Sequence, residues 1–392
     1  MIKRKSGEFL EFIKSEQASG VILIICVIIS LIIANSSVSQ GFTKLLSFKV
    51  GYESPQIQLE YSLLNWINDG LMAVFFFLIG LEIKNEIIGG HLSNFKIAAV
   101  PIFAAIGGAM VPAVIFFALN YGTNTGAGWA IPMATDIAFA LGVLALLGKL
   151  VPPALKVLLS TLAVVDDLLA IVIIAIFYST TLHWLYLLVS LGIFLLLLSM
   201  NKLGVKHLVF YIIPGIALWY FIHHSGVHAT IAGVLTAFTI PISSKKGPVL
   251  EKLAHQLTTP VNFFIMPLFA LANTNIHFEV NMVNGVISVL GLGIILGLLI
   301  GKPVGVMLFA WLSVKFKIGS LPELITWRHI TGMGLLAGIG FTMSIFISLL
   351  SFGNSIYNIE AKFAILIASV IAGIAGFIYL KSVLAINNKS RG

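Results

Sequence analysis

"STLAVVDDLLAIVIIAIF", residues 160–177, is apolar almost throughout, yet Asp166 and Asp167 stand side by side inside it. What two carboxylates are doing in such a run depends on the rest of the chain. Of its 392 residues, 59% are hydrophobic and only 10% charged, with a mean hydropathy of +1.05. Soluble domains carry roughly 25% charged residues. Apolar runs of about 18 residues or more recur along nearly the whole length, the mark of a polytopic helical membrane protein. The first run begins near Gly20 and lacks a following small-residue cleavage site, so it reads as a retained membrane helix. The single cysteine, Cys26, lies in that run and reads as a small packing residue. No disulfide framework or cysteine-based metal site is expected.

The pattern predicts an all-α fold of about twelve transmembrane helices, near 18–35, 62–85, 97–119, 128–147, 155–177, 182–200, 207–223, 226–241, 257–274, 284–313, 331–351 and 362–385. With a cytoplasmic N-terminus, the inner segments hold 19 of the 23 Lys and Arg. Only Lys44, Lys49 and Lys362 fall outside, and Lys302 falls within a span. That bias places both termini inside by the positive-inside rule. The net charge of +8 is therefore a topology signal and an attraction to anionic lipid, not a nucleic-acid patch. One outer loop is long, residues 41–61. There "LSFKV" and "IQLEY" alternate apolar and polar around "GYESP", which reads as a small β-hairpin. A lone hairpin is marginal in water, so pairing with its copy in a second subunit is one expectation and a folded-over loop the other.

Most acidic residues lie in loops or at helix ends; Asp136, Asp166 and Asp167 do not, and neither does Lys302. Asp166 lies about ten residues into its span, roughly 15 Å deep in a core about 30 Å thick. Each such charge costs on the order of 2.5–3.5 kcal/mol at a helix centre, and a leucine would pack better. Intramembrane ionisable groups default to a substrate or proton pathway. One lysine can pair with one aspartate, which leaves two further carboxylates. Adjacent helical residues point about 100° apart, so one of the pair can meet Lys302 while the other faces a cavity. Carboxylates suit hard cations and, when close together, titrate as a coupled group. Competition of a small cation and protons for the same oxygens is the core of an exchange mechanism.

Two spans carry breakers beside polar side chains. The fourth reads "GAGWAIPMATDIAFALG" from Gly126 and the eleventh "GMGLLAGIGFTMSIFIS" from Gly332. Each opens Gly-x-Gly; six residues after the first glycine come Pro132 and Gly338, and four further on stand Asp136 and Thr342. In the expected topology they cross the membrane in opposite directions. Interrupted spans at matching positions of inverted halves point to a binding site between them.

Seven motifs now extend the reading: "NDGLMAVFFFLIGLEIK" (68–84), "ATDIAFALGVLALLG" (134–148), "VVDDLLAI" (164–171), "SGVHATIAGV" (225–234), "MPLFALAN" (266–273), "GKPVGV" (301–306) and "GIGFTMSIFI" (338–347). In these the chain resembles bacterial NhaA-type sodium/proton antiporters over nearly its full length. That family helped to define the interrupted-span rule, so the rule and the resemblance are not independent. The resemblance implies a single integral domain over 1–392 in the inner membrane, with inverted repeats of spans 3–5 and 10–12 and broken helices 4 and 11. It implies Asp166 and Asp167 as the sodium- and proton-exchanging pair, Asp167 chiefly the ligand of the transported sodium. Lys302 would pair with Asp166 and carry a proton itself; Thr135 and Asp136 would balance helix-end dipoles and assist binding. Pro132, Gly338, Gly340 and Thr342 would form the crossing. Electrogenic exchange, lithium as an alternative ion, and homodimers joined partly through 41–61 are implied too. No cofactor is expected, the ions being cargo.

The chain departs from the family at its inner surface. "LEIKNEI" places Asn85 where an arginine is common, and "LAHQLTT" keeps His255 but has Ala254 and Thr258 where Glu and His are usual. Exchange should survive with an altered pH profile. Glu82, Glu86, Glu251 and His255 are either titrating groups of that response or a solvated charged rim. His228 reads as a packing or hydrogen-bonding residue. Another proton-coupled small-ion carrier is the alternative; an anion site would favour Arg or Lys clusters, and here three carboxylates face one lysine. Neither a repeated selectivity filter nor a P-loop is present, which argues against a channel or an ATP-driven pump.

Overall fold

The computed structural model describes residues 16–55, 58–90, 92, 95–179, 181–244, 247–278, 282–353 and 355–389. Lys3, Arg4, Lys5, Lys14, Lys245, Lys246 and Arg391 of the expected inner basic set lie outside these residues, as do Gln56 and Ile57 of the expected hairpin.

In chain order the main helices are α1 (Glu16–Ala34), α2 (Ser39–Ser47), α3 (Met72–Ile88), α4 (Phe95–Asn120), α5 (Ile137–Ala145), α6 (Pro153–Phe177), α7 (Trp184–Lys202) and α8 (Val209–His224). They continue with α9 (Thr230–Thr239), α10 (Val249–Pro260), α11 (Met266–Asn273), α12 (Val289–Leu296), α13 (Lys302–Lys315), α14 (Trp327–Ala337), α15 (Phe341–Phe352) and α16 (Ile356–Lys389). Beside shorter helical segments, Met282–Ile287 among them, there are two short antiparallel pairs, β1 (Lys49–Val50) with β2 (Tyr61–Ser62) and β3 (Ser243–Ser244) with β4 (Gly247–Pro248). The chain divides into two compact units. One comprises Met1–Ile25, Gly89–Ala170 and Phe278–Gly392; the other comprises Cys26–Ile88 and Ile171–His277.

Among the described residues, six helices are long and apolar enough to cross a membrane, or up to eight if each of two bent pairs is one span. The difference from twelve has a local cause. Span 62–85 is interrupted by a π-turn at Trp66–Leu71, and span 257–274 by another at Val261–Ile265 directly after Pro260. A third π-turn, Gly297–Gly301, precedes Lys302 and Pro303. The expected span 284–313 is helical from Met282 to Ile287 and is then broken at Ser288, whose hydroxyl accepts the Gly291 N–H at 3.1 Å as α12 begins. The first two interruptions leave helices individually too short to cross a membrane, whereas Val289–Lys315 runs through the third over 27 residues. The faces they present are nonetheless greasy. Leu185 is 73% exposed and Leu188 64%, on a helix with only 11% of its apolar window buried. Rows of exposed Leu and Ile like these require a lipid exterior, and the chain is a multi-pass membrane protein.

In the first unit, α4 packs along α12 and α13 through glycine. A Cβ on Gly305 would lie 2.1 Å from the Gly107 carbonyl oxygen, so the two backbones touch. Small residues permit this approach between membrane helices. The contact sits three residues beyond Lys302 and sets the depth of that side chain; the Lys302 methylenes pass where a Gly108 Cβ would meet them at 3.5 Å. Gly305→Val is therefore expected to force α4 and α13 apart, at a cost of about 1–3 kcal/mol or more. The thermal midpoint of the detergent-purified protein measures it, and an unchanged midpoint would show that the contact is slack.

The second unit packs α9 against α3, with Gly233 lying against the Ala73 carbonyl. Phe77, Leu81, Leu197, Tyr211, Leu218 and Ile222 form its core. Lys84 donates to the carbonyls of Phe238 and Ile240, both at 2.6 Å, and so caps the end of α9 with a cation where the helix dipole favours one. Residues 41–61 form a shorter hairpin than the alternation predicts. Leu46 and Ser47 of "LSFKV" belong to α2, and pairing is confined to Lys49–Val50 against Tyr61–Ser62 and a bridge between Glu53 and Gln58. The last turn of α2, which buries Leu46, outcompetes a strand that has no third partner.

Candidate functional site

Two interrupted helices meet inside the first unit. Gly126–Met133 is a 3-10 segment ending at Pro132–Met133, after which the chain is extended at Ala134 and Asp136 before α5. Proline lacks an N–H, which makes this an inexpensive place to break the ladder. The second interruption separates α14 from α15, which bend by 47° across Gly338–Gly340. A Cβ on Gly338 would lie 2.5 Å from the Leu298 carbonyl oxygen, so glycine is required by contact. The breaks are hydrogen-bonded to one another: the Asp136 N–H donates to the Ile339 carbonyl at 2.7 Å.

Four half-helix ends therefore converge, and side chains satisfy what the breaks leave open. Asp136 Oδ1 accepts the Phe139 N–H at 3.0 Å, capping α5. Its Oδ2 accepts the Thr342 N–H at 3.1 Å and the Thr342 hydroxyl, capping α15. One carboxylate thus serves two positive helix ends. At the negative ends, the Ser344 hydroxyl donates to the Ile131 carbonyl at 2.8 Å and Lys302 Nζ donates to the Met133 carbonyl. Thr135 Oγ1 lies 2.8 Å from the Ala337 carbonyl and 2.6 Å from Asp166 Oδ2.

Asp166 joins α6 to this crossing. Its Oδ2 is ion-paired with Lys302 Nζ and faces the Thr135 hydroxyl. Its Oδ1 has no hydrogen-bond partner among the described residues. Asp167 is the next residue, near enough for its charge to act on Lys302. Thr135, Asp136, Asp166, Asp167, Lys302, Thr342 and Ser344 are each at most 2% exposed. The structure thus brings the expected charged residues together with Pro132, Gly338, Gly340 and Thr342. In this dry surrounding, each carboxylate must be protonated, paired or bound to a cation.

Glu82, Glu86, Glu251 and His255 belong to the second unit and not to this cluster. Glu82 and Glu86 stand one turn apart on α3, close enough to act on each other. Glu251 and His255 are exposed, one turn apart on α10, which packs against α3. His228 is paired with Asp69 at 3.5 Å and with the Thr230 hydroxyl at 2.8 Å, a hydrogen-bonding position. Sequence reasoning missed Ser369, whose hydroxyl accepts the Phe341 N–H at 3.1 Å and completes the cap of α15. A lone hydroxyl in the apolar middle of α16 was the available signal. The carbonyls of Ile131, Met133 and Ala337 carry no signal in a sequence.

The fold and its buried charges define a multi-pass helical membrane protein with a polar crossing of broken helices in its interior. Comparison with known proteins places it further. The family described as Na+/H+ antiporter 1 matches residues 10–380, and the chain belongs to that family. The family is one of transporters, not enzymes. A Flavobacterium johnsoniae protein named Na(+)/H(+) antiporter NhaA 2 is 58% identical over 95% of this chain and 92% of its own length. The Na(+)/H(+) antiporter NhaA of Flavobacterium psychrophilum is 50% identical over 97% of each chain. That of Helicobacter pylori is 45% identical over 94% of each.

Proposed function

We propose that the chain is an electrogenic sodium/proton antiporter that exports sodium, or lithium, against a larger number of entering protons by alternating access. The observation that carries this is Asp166, a buried carboxylate held by one lysine and one hydroxyl where half-helix ends converge. Asp167 adds a second set of hard oxygens and serves chiefly as sodium ligand. A site this dry stays near neutral, so it takes up a cation as it gives up a proton. If Lys302 also gives up its proton, more than one proton moves per sodium. Asp136 and Thr135 hold the crossing while the ions exchange.

In this reading twelve spans form two inverted repeats, spans 3–5 and 10–12, with both termini cytoplasmic in a bacterial inner membrane. The inner lysines draw anionic lipid, the hairpin of residues 41–61 joins a homodimer, and the exchange serves sodium and pH homeostasis under pH control. Glu82, Glu86, Glu251 and His255 contribute to that control, with a profile altered by Asn85, Ala254 and Thr258.

Dye-reported proton movement in everted vesicles tests the reading. Adding sodium or lithium at alkaline pH is expected to drive protons out of the acidified lumen, with no response to potassium. Asp167→Asn is expected to abolish the response. A potassium response would favour a different proton-coupled ion carrier. No sodium response, or an intact one in Asp167→Asn, overturns the assignment.

A further inference from the structure

The helix α14 links the crossing to a histidine that neither the sequence pattern nor the ion site called upon. Its last carbonyl, Ala337, faces Thr135. Its first turn is closed by His329, which is only 1% exposed. His329 Nδ1 accepts the Thr326 backbone N–H at 3.0 Å and lies 3.0 Å from the Thr326 hydroxyl. The His329 N–H in turn donates to the Thr326 carbonyl at 2.9 Å. A Gln or Glu commonly fills this third helical position, where its side chain reaches back to the cap. Histidine does so under a condition that those residues do not have.

A backbone N–H only donates, so Nδ1 must present a lone pair and the ring proton must sit on Nε2. In the imidazolium both ring nitrogens are donors. Protonation at Nδ1 therefore deletes the bond from the Thr326 backbone N–H, leaves the Thr326 hydroxyl as the acceptor beside the ring, and sets a positive charge at the positive end of a helix dipole. The bond to the Thr326 backbone N–H is present in the neutral ring and absent from the imidazolium.

The rest of α14 has little slack to absorb a loosened first turn. Eleven residues span about 16 Å. Along that length Gly332 lies against Leu380 and Tyr379, Gly334 against the Pro303 backbone, and Gly338 against the Leu298 carbonyl. Among the described residues, several charged and titratable groups of the surrounding elements are engaged or exposed. On α13, Lys302 is paired with Asp166, and Lys315 lies over the Trp311 ring. On α16, Lys381 lies over Phe377 and Tyr379 lies beside Gly332. Asp136, at the start of α5, is bonded to Thr342. Lys317 and Glu323, on the approach to α14, and Arg328, in its first turn beside His329, are exposed.

We propose that His329 is a proton-sensitive positioning residue: its neutral ring holds the start of α14, and through that rigid helix the Ala337–Thr135 end of the ion site, while its protonation releases both. The inference rests on the antiport reading for its effect on transport. Its effect on the helix does not depend on that reading.

The test compares the wild-type protein with His329→Gln, which keeps an acceptor at the same position without titrating, and His329→Ala, which removes it. Two curves are taken from about pH 5 to pH 8, the range over which a histidine changes charge. One is sodium-driven proton flux in everted vesicles; the other is the thermal midpoint of the purified protein. His329→Gln is expected to retain exchange, to shift the acid limb of its profile by about one pH unit toward acid, and to lose the acid-side fall in thermal midpoint. His329→Ala is expected to have a lowered midpoint and weakened exchange even at alkaline pH. If both curves for His329→Gln superimpose on those of the wild type, the residue is a structural cap and the proposal fails. It fails equally if His329→Ala behaves as wild type. If no variant shows sodium-driven flux but the midpoint still follows His329, the antiport reading fails and the helix cap stands.

Discussion

Lys302→Met is expected to give a protein that is markedly less stable and exchanges poorly. The substitution leaves Asp166 buried with Thr135 but no cation beside it, and takes a donor from the Met133 carbonyl. Removing one partner of a buried ion pair costs about 3–5 kcal/mol, because the remaining charge stays where water cannot reach it. Adding Asp166→Asn removes that charge and should restore much of the stability without restoring transport. The thermal midpoints of the two single variants and the double variant form a cycle, and a strong coupling between the sites is the expected result. Additive effects would mean that the pair contributes little. In vesicles, Lys302→Ala should lower the number of protons moved per sodium; an unchanged ratio would remove Lys302 from the proton carriers.

Asp136→Leu is expected to be more damaging to the fold than to any single bond. It strips the caps from α5 and α15 at once, leaving the N–H groups of Phe139 and Thr342 and the Thr342 hydroxyl buried without an acceptor. Each orphaned group costs about 1–3 kcal/mol, which in sum rivals the stability of a typical domain. Asp136→Asn retains one acceptor oxygen and should fold with a loosened crossing. Folded yield and thermal midpoint separate the two. Equal yields would argue that the breaks are held by packing, such as the edge-on contact of Phe139 with Phe341, with ring centroids 5.7 Å apart.

The charges of the crossing were legible in the sequence because an ionisable residue in mid-membrane has few bland explanations. Asp136, Asp166, Asp167 and Lys302 stood out against apolar surroundings, and Pro132 and Gly338 marked the interruptions beside them. What holds those charges was less visible, since half of it is backbone. The partners at Ile131, Met133, Ala337 and Ile339 are carbonyls that any residue would supply. Helix continuity was also hidden: the π-turn at Gly297–Gly301 contains only helix-compatible apolar residues and glycine, and periodicity runs through it undisturbed. The hairpin at 41–61 failed in part for the opposite reason. Alternation over five residues cannot tell a strand from the last turn of an amphipathic helix when no third strand competes.

Thr135 offers its one hydroxyl hydrogen to two acceptors, Asp166 Oδ2 and the Ala337 carbonyl, and can satisfy only one at a time. An ionised Asp166 has the stronger claim, which leaves the last carbonyl of α14 short of a donor. A protonated Asp166 supplies its own hydrogen, and Thr135 is free to turn to Ala337. The same atom therefore records whether Asp166 is charged and reports it to the end of another helix, with no side chain moving further than the rotation of one O–H bond.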